Sequence, residues 1–364
     1  MKIKELLPLV KVHGRTIYDE EKEALFANWT NSGFTVALTG KYLKIRAVAM
    51  SDQLAGFPGK PQPPADWPCV GAVINDELTF RAELRNTEPE WITLWENDEV
   101  QDKVIRVIKL SENARGKLGI LEVATDGGFH KYTDNRKTME VVGDSITCGF
   151  GSEASNNSPE FHTSEENGFM AYGPQAARAL GYDVSMVCES GIPAVVPEHP
   201  MFPIHGMEDI YAYTDELYDQ RRGVTPEKWD FEKNHNDVVV INLGTNDSNP
   251  IRFYRHFEEI EAMEKWFAKK YKEFVLQVRA LNGPETYIVC ALGSMDYYLY
   301  HHIRDIVEEI KKETGDQKIC SFEFIPINVM FEGYGAMGHP SQKTHDRMAR
   351  ELVFCINKYV KGVA

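Results

Sequence analysis

Hydrophobic and polar positions divide the chain in two. Up to about residue 134 they alternate with period two in short runs. Phe34, Val36 and Leu38 share one face of Phe34–Gly40; Leu43, Ile45 and Ala47 repeat the alternation after Thr39-Gly40-Lys41, which reads as a turn. Asn75-Asp76 separates Val70–Ile74 from Leu78–Leu84, as in a hairpin. Trp91–Trp95, Val104–Leu110 and Leu118–Val123 follow, with turn residues between them. Many short strands with little helical period predict a β-sandwich of jelly-roll type. The Pro-rich stretch from Phe57 to Pro68 reads as a long loop, and its Trp67 serves loop packing or sugar stacking.

Asp126-Gly-Gly and the polar run Lys131–Lys137 read as a linker, and from Thr138 the pattern becomes strand, helix, strand. Five short apolar runs predict strands: Met139–Val142, Val184–Cys188, Asp237–Leu243, Thr286–Leu292 and Ile319–Ile325. Helical periods lie between them at Pro174–Leu180, Phe257–Leu281 and His301–Thr314, and a last one runs from Ser341 to about Lys358. Pro174 sits near a first turn, and Gly181 and Gly315 just past helix ends. This alternation predicts a five-stranded parallel sheet in an α/β/α domain. The chain therefore reads as an accessory domain at residues 1–134 and an α/β domain at residues 135–364.

Length and composition agree with two globular domains, since 364 residues exceed the usual size of one. A formal net charge of −15 argues against a nucleic-acid surface or an anionic membrane. It leaves a neutral sugar unaffected and would repel a polyanion. The start, Met1-Lys-Ile-Lys-Glu, carries no apolar core of signal-peptide length, and no apolar run reaches membrane-span length. Six cysteines, with no Cys-x-x-Cys pair, read as buried free thiols rather than disulfides or zinc ligands. These features predict a cytoplasmic protein; removal of a leader would leave the same pattern.

Chemistry gathers at strand ends. Val141-Val142 stops at Gly143-Asp144-Ser145, a buried strand closing in a tight turn that lifts a hydroxyl out of the sheet. A serine in a turn more often just bonds its own backbone. Asp237–Leu243 leads into Gly244-Thr-Asn-Asp247, and Gly338-His339-Pro-Ser341 opens the last helix. Serine, side-chain amide and histidine are the parts an acyl-transfer site needs as nucleophile, oxyanion donor and base. In a doubly wound sheet, ligands bind at the C-terminal ends of the strands, where these motifs fall.

Gly143-Asp-Ser-Ile-Thr147, Gly191, Gly244-Thr-Asn-Asp247 and His339-Pro340 together resemble the four blocks of the SGNH hydrolases. The longer string Gly143–Gly151, with a β-rich segment upstream, is similar to carbohydrate esterase family 2, whose members remove O-acetyl groups from plant polysaccharides and their fragments. The resemblance implies an SGNH-type catalytic domain with Ser145 as nucleophile and His339 as base. It also implies an oxyanion hole of the Ser145 and Gly191 backbone N–H groups and the Asn246 amide. Gly191 also reads as a turn glycine, Asn246 as a loop cap, and Asp144 and Asp247 as loop-holding carboxylates. No metal and no cofactor are expected: His301 and His302 point to different sides of a helix. His345, inside the last helix, reads as a packing or surface residue.

One departure from the superfamily stands out. An aspartate usually precedes the histidine by two or three residues, and here Met337 and Ala336 hold those positions. Some family 2 members use a backbone carbonyl instead, and a Ser-His dyad is expected here. The aromatic residue that often precedes the histidine is also missing. Phe202, Tyr211, Tyr213 and Tyr218 in the long stretch Ile192–Trp229 are candidates for a cleft wall. Tyr297, Tyr298 and Tyr300 read equally as cleft or helix-core residues.

The reading is a carbohydrate O-acetylesterase acting on acetylated hemicellulose oligosaccharides of xylan or mannan type through an acyl-enzyme. Its rivals are a lipase or thioesterase on the same fold and an inactive carbohydrate-binding protein. No nucleic-acid or membrane partner is expected, and oligomeric state is not legible.

Overall fold

The fold is that of a computed structural model, and the structure describes residues 1–52, 65–195, 205–252, 256–360 and 362. Residues 57–64 of the Pro-rich stretch, and Phe202, lie outside the described residues.

Nine antiparallel strands form the first sheet: β1 Lys11–His13, β2 Ile17–Asp19, β3 Ala24–Phe26, β4 Gly33–Met50, β5 Cys69–Ile74, β6 Glu77–Glu83, β7 Glu90–Lys109, β8 Lys117–Ala124 and β9 Gly128–His130. β4 pairs with β1 and β9 along its first half and with β8 along its second, while β7 runs along its other edge. One long strand that changes partners curls the sheet over its own core of Phe34, Val36, Leu38, Leu43, Ile45 and Ala47. The turn predicted at Thr39-Gly40-Lys41 is instead a register shift inside β4. A Cβ on Gly40 would stand 2.2 Å from Thr125 Oγ1, so glycine here serves close approach, not chain reversal. The runs at 91–95 and 104–110 likewise join in the single strand β7. Trp67 packs, partly buried, against the core of this sheet.

The second sheet is parallel, in the order β11-β10-β12-β13-β14, with β10 Thr138–Gly143, β11 Asp183–Cys188, β12 Val238–Asn242, β13 Tyr287–Leu292 and β14 Ile319–Glu323. Every residue of the central strand β12 is buried, as expected for a strand covered on both faces. The principal helices are α1 Tyr172–Leu180, α2 Phe257–Asn282, α3 Tyr300–Thr314 and α4 Gln342–Tyr359. α3 buries Ile303, Ile306, Val307 and Ile310, one face at helical spacing, and stops at the left-handed Gly315. No described helix is long and apolar enough to cross a membrane.

Buried polar groups join the two sheets. Asp183, at the start of β11, accepts from His13 Nδ1 at 2.9 Å, Lys11 Nζ at 2.9 Å and Arg106 Nη1 at 3.2 Å. Burial pushes its carboxyl pKa up, but the His13 bond and the charges of His13, Arg106 and Lys11 together hold it well below the usual carboxylate range. Asn28 and Asn113 both donate to Asp215, at 2.8 and 3.1 Å, and Trp29 Nε1 donates to the Thr214 carbonyl at 2.8 Å. Each pairing crosses from the antiparallel sheet to the α/β part and fixes the two against one another.

Candidate active site

Sheet register brings the motifs to one level. Gly143, the last residue of β10, pairs with Cys188 of β11 on one side and Asn242 of β12 on the other. Ser145, Gly191 and Asn246 each follow one of those three residues by two to four positions, so all leave the same edge of the sheet.

Ser145 opens a short helical turn, Ser145–Cys148, capped by Asp144, whose carboxylate accepts the Ile146 N–H at 2.9 Å. Gly149 closes the turn in the left-handed region. The serine is 8% exposed, at the floor of the site. His339 Nε2 lies 2.9 Å from Ser145 Oγ, and its Nδ1 lies 3.2 Å from the carbonyl oxygen of Ala336. A carbonyl only accepts, so the proton on that contact sits on Nδ1, leaving the Nε2 lone pair for the serine O–H. Burial lowers the His339 pKa, partly offset by the Ala336 and Met337 carbonyls and by the Glu112 charge.

The segment that carries this carbonyl is tightly held. Ala336 N–H donates to Gly151 O at 2.9 Å, Met337 N–H to Ser158 O at 2.7 Å and Gly335 N–H to His339 O at 2.8 Å. Met337 adopts φ +51°, a left-handed conformation uncommon outside glycine, asparagine and aspartate, which turns the chain back toward the ring. Glu332 and Asp346 go elsewhere. Glu332 binds Arg347 Nε at 2.5 Å and Thr344 Oγ1 at 3.1 Å, while Asp346 accepts from Gln175 at 2.9 Å and Gln342 at 3.0 Å.

Asn246 lies in the short helix Thr245–Ile251, and its Nδ2 donates to the Ile192 carbonyl at 3.1 Å and faces Asp144 Oδ2 at 3.4 Å. This ties the Asn246 block to both the Gly191 loop and the Ser145 turn. Gly191 has φ +83° with open space where a Cβ would stand, so the backbone conformation, not crowding, calls for glycine. Asp247 accepts the N–H groups of Ala194 at 2.8 Å and Val195 at 3.0 Å, a loop-holding carboxylate. Burial raises Asp144 and Asp247 each to about 7, against the pull of their backbone N–H bonds.

The structure corrects some sequence expectations and decides between the open alternatives of others. Tyr211 and Tyr218 are buried, not cleft walls: Tyr211 donates to Glu140 at 2.8 Å, and Tyr218 packs on Phe26 with ring centroids 4.9 Å apart. Tyr298 and Tyr300 pack against the α/β core. The His301 and His302 rings do approach, with centroids 4.0 Å apart, although the residues are adjacent on a helix. His345 is wholly buried, accepts the Tyr172 N–H at 3.3 Å, and has its pKa pushed down to about 4 by burial.

Four residues at the site escaped the sequence reading. Phe150 lies against the His339 ring, 4.4 Å between centroids, and Phe161 stacks on Phe150 at 3.9 Å. The Arg115 guanidinium caps Phe161 at 4.8 Å, and Glu112 lies buried beneath the Gly191 loop. Phe150 lies inside the Gly143–Gly151 string; the other three sit in loops whose composition gives no signal. Among the described residues, Glu112, Cys148 and Glu166 are close enough to share an ion. Their chemistry fits one poorly: burial raises Cys148 and Glu166, which favours their protonated forms, and Glu112 is already bonded to Arg115 and Ser190.

Comparison with known proteins finds relatives in sequence and in fold. A 221-residue stretch is 33% identical to the cellulase/esterase CelE of Acetivibrio thermocellus, taking in 59% of this chain and 25% of that protein. Over 265 residues the chain is 26% identical to an acetylxylan esterase/glucomannan deacetylase of Cellvibrio japonicus, 68% of this chain and 67% of that one. The chain thus spans about a quarter of the first relative's length. The fold is similar to that of a family two carbohydrate esterase from Clostridium thermocellum in complex with cellohexaose: TM-score 0.81, 24% identity, 97% of this chain and 99% of that one. The model of the GDSL-like lipase/acylhydrolases matches residues 139–352, well over half the chain and every motif block at this sheet edge, and the chain belongs to that family.

Proposed function

We propose that the protein is a serine esterase that removes acetyl groups from neutral hemicellulose oligosaccharides of xylan or mannan type. The observation that carries this reading is the Ser145–His339 contact at 2.9 Å, backed by the Ala336 carbonyl on the far side of the ring. His339 Nε2 takes the serine proton as Oγ attacks the acetyl carbonyl, giving a tetrahedral intermediate. Its oxyanion is met by the N–H groups of Ser145 and Gly191 and by Asn246, which exchanges its long contact with Asp144 for the new charge. As the intermediate collapses, imidazolium protonates the sugar oxygen, which leaves as a hydroxyl, and water repeats the sequence on the acetyl-enzyme. The names of the two relatives support the substrate class, and the net charge of −15 favours a neutral glycan over a polyanion.

The substrate surface is aromatic without the residue expected before the histidine. Phe150 and the partly exposed Phe161 form an apolar wall beside the base, a surface on which a pyranose face packs. Action inside the cell on imported fragments is part of the proposal, supported by six free, buried cysteines. Activity confined to the cytosolic fraction of the native cells would support that location, and activity in the medium would overturn it.

One observation favours a second reading. Met330 and Phe331, 86% and 72% exposed, stand on the short helix Val329–Glu332 just ahead of the His339 loop. An exposed apolar pair there suits a longer acyl chain or a lipid. A series of 4-nitrophenyl esters separates the two readings. Preference for acetate over octanoate supports the deacetylase, and the reverse order supports a lipase.

A further inference from the structure

The loop between β7 and β8 belongs to the antiparallel part of the chain, yet it reaches under the sheet edge where the site lies. Its Glu112 has no solvent exposure. One carboxylate oxygen accepts the backbone N–H of Ser190 and lies 3.6 Å from Sγ of Cys148, the last residue of the nucleophile's turn. The other accepts from Arg115 Nε at 3.1 Å. The loop is pinned in turn, since the Glu112 N–H donates to Glu166 at 3.1 Å and Arg115 Nη1 to Asp66 at 2.6 Å.

Ser190 is the residue before Gly191. A glycine at φ +83° with open space around it has little to hold its peptide plane in place. On its far side, the Ile192 carbonyl is fixed by Asn246 at 3.1 Å and the Ile192 N–H by Glu189 O at 3.3 Å. On its near side, the tie holding Ser190 is the Glu112 carboxylate. A charge-assisted bond in a dry setting is a strong anchor for the direction in which the Gly191 N–H points. The same loop also backs the base: Arg115 lies over Phe161 and Phe150 at 4.8 and 5.6 Å, and Phe150 faces His339.

We propose that Glu112 is a positioning residue that aims the Gly191 N–H at the oxyanion, so that the antiparallel domain supplies part of the esterase machinery. The inference rests on the reading of Ser145 and His339 as the dyad. Glu112 touches no reacting atom and acts through Ser190 and Gly191. Losing its anchor should therefore weaken transition-state binding and leave ground-state binding alone.

The test is steady-state kinetics on 4-nitrophenyl acetate for the full chain and for Glu112→Ala, Glu112→Gln and Ser145→Ala. Glu112→Ala should lower kcat about ten- to a hundredfold with KM within about twofold, short of the ~10²–10³ lost when a donor is removed outright. Glu112→Gln keeps an oxygen that can accept the Ser190 N–H and should recover part of that loss. A folded Glu112→Ala with wild-type kcat, beside an inactive Ser145→Ala, would overturn the proposal and leave the dyad standing. An active Ser145→Ala would instead overturn the dyad. Arg115 keeps Asp66 as a partner in these variants, which favours folding. Should Glu112→Ala still fail to fold, Glu112→Asp, which keeps the charge but is one methylene too short to hold the Ser190 N–H, decides: a fall in kcat at constant KM supports the proposal, and unchanged kcat overturns it.

Discussion

Nδ1 of His339 faces the carbonyl oxygen of Ala336 at 3.2 Å, where a serine hydrolase with a full triad would present a carboxylate. A neutral acceptor fixes the tautomer but stabilises imidazolium less than a charge does. Glu332 and Asp346 are bonded to Arg347 and to Gln175 and Gln342, away from the ring. Glu332→Gln and Asp346→Asn should therefore each keep kcat within about tenfold, far short of the ~10⁴ lost with a triad aspartate. A thousand-fold drop in either folded variant, in the same acetyl-ester assay, would show that a carboxylate serves the histidine.

The carbonyl depends on how closely two turns approach. A Cβ on Gly151 would stand 2.4 Å from Ala336 Cβ and 3.0 Å from its nitrogen, and Gly151 sits at φ +55°. Gly151→Ala should push the 335–338 segment away and cost about 1–3 kcal/mol of stability. It should also lower kcat more than tenfold by freeing the imidazole. Thermal unfolding and kinetics on one preparation check both; unchanged kcat would mean that Ala336 does not orient His339.

Burial lowers the His339 pKa, so the neutral base persists to lower pH than free histidine allows. The acid limb of kcat/KM should fall below pH 6.5, and His339→Ala should remove activity. A limb centred above 6.5 would contradict the burial found here.

His345 should shape stability rather than rate. Its folded pKa of about 4 lies below the unfolded value of 6.5, so the unfolded chain binds the proton first. The stability it confers is complete above pH 6.5 and is lost as pH falls toward 4, about 3 kcal/mol at most for a wholly buried group. Urea midpoints between pH 7 and 4 measure the slope; a His345→Gln variant, though less stable throughout, should show a flatter one.

The parallel sheet was readable in the sequence because each strand is a short run dominated by apolar residues, and every residue of β11 and β12 is buried. Helix ends were marked by Gly181 and Gly315, both left-handed. β4 was not readable as a single long strand because a glycine needed for close approach looks the same as one needed for a turn, and β7 was not because the stretch 96–103, polar but for Val100, interrupts its apolar alternation. The dyad was legible because its histidine and serine lie in strong motifs. Glu112 was not: it stands 78 residues from Ser190, in a loop that looks solvent-facing, and only the packing of the two sheets makes it buried. Tyr211 and Tyr218 failed the opposite way, as aromatic residues in a long connection that turned out to be core.

The most direct test is acetate release from acetylated xylo- and manno-oligosaccharides by the wild-type protein and by Ser145→Ala. The expected result is release by the wild type, with loss of O-acetyl signals in the NMR spectrum of the glycan, and none by the folded Ser145→Ala variant. Wild-type protein that leaves these acetyl groups intact, or a Ser145→Ala variant that removes them at the same rate, would contradict the assignment.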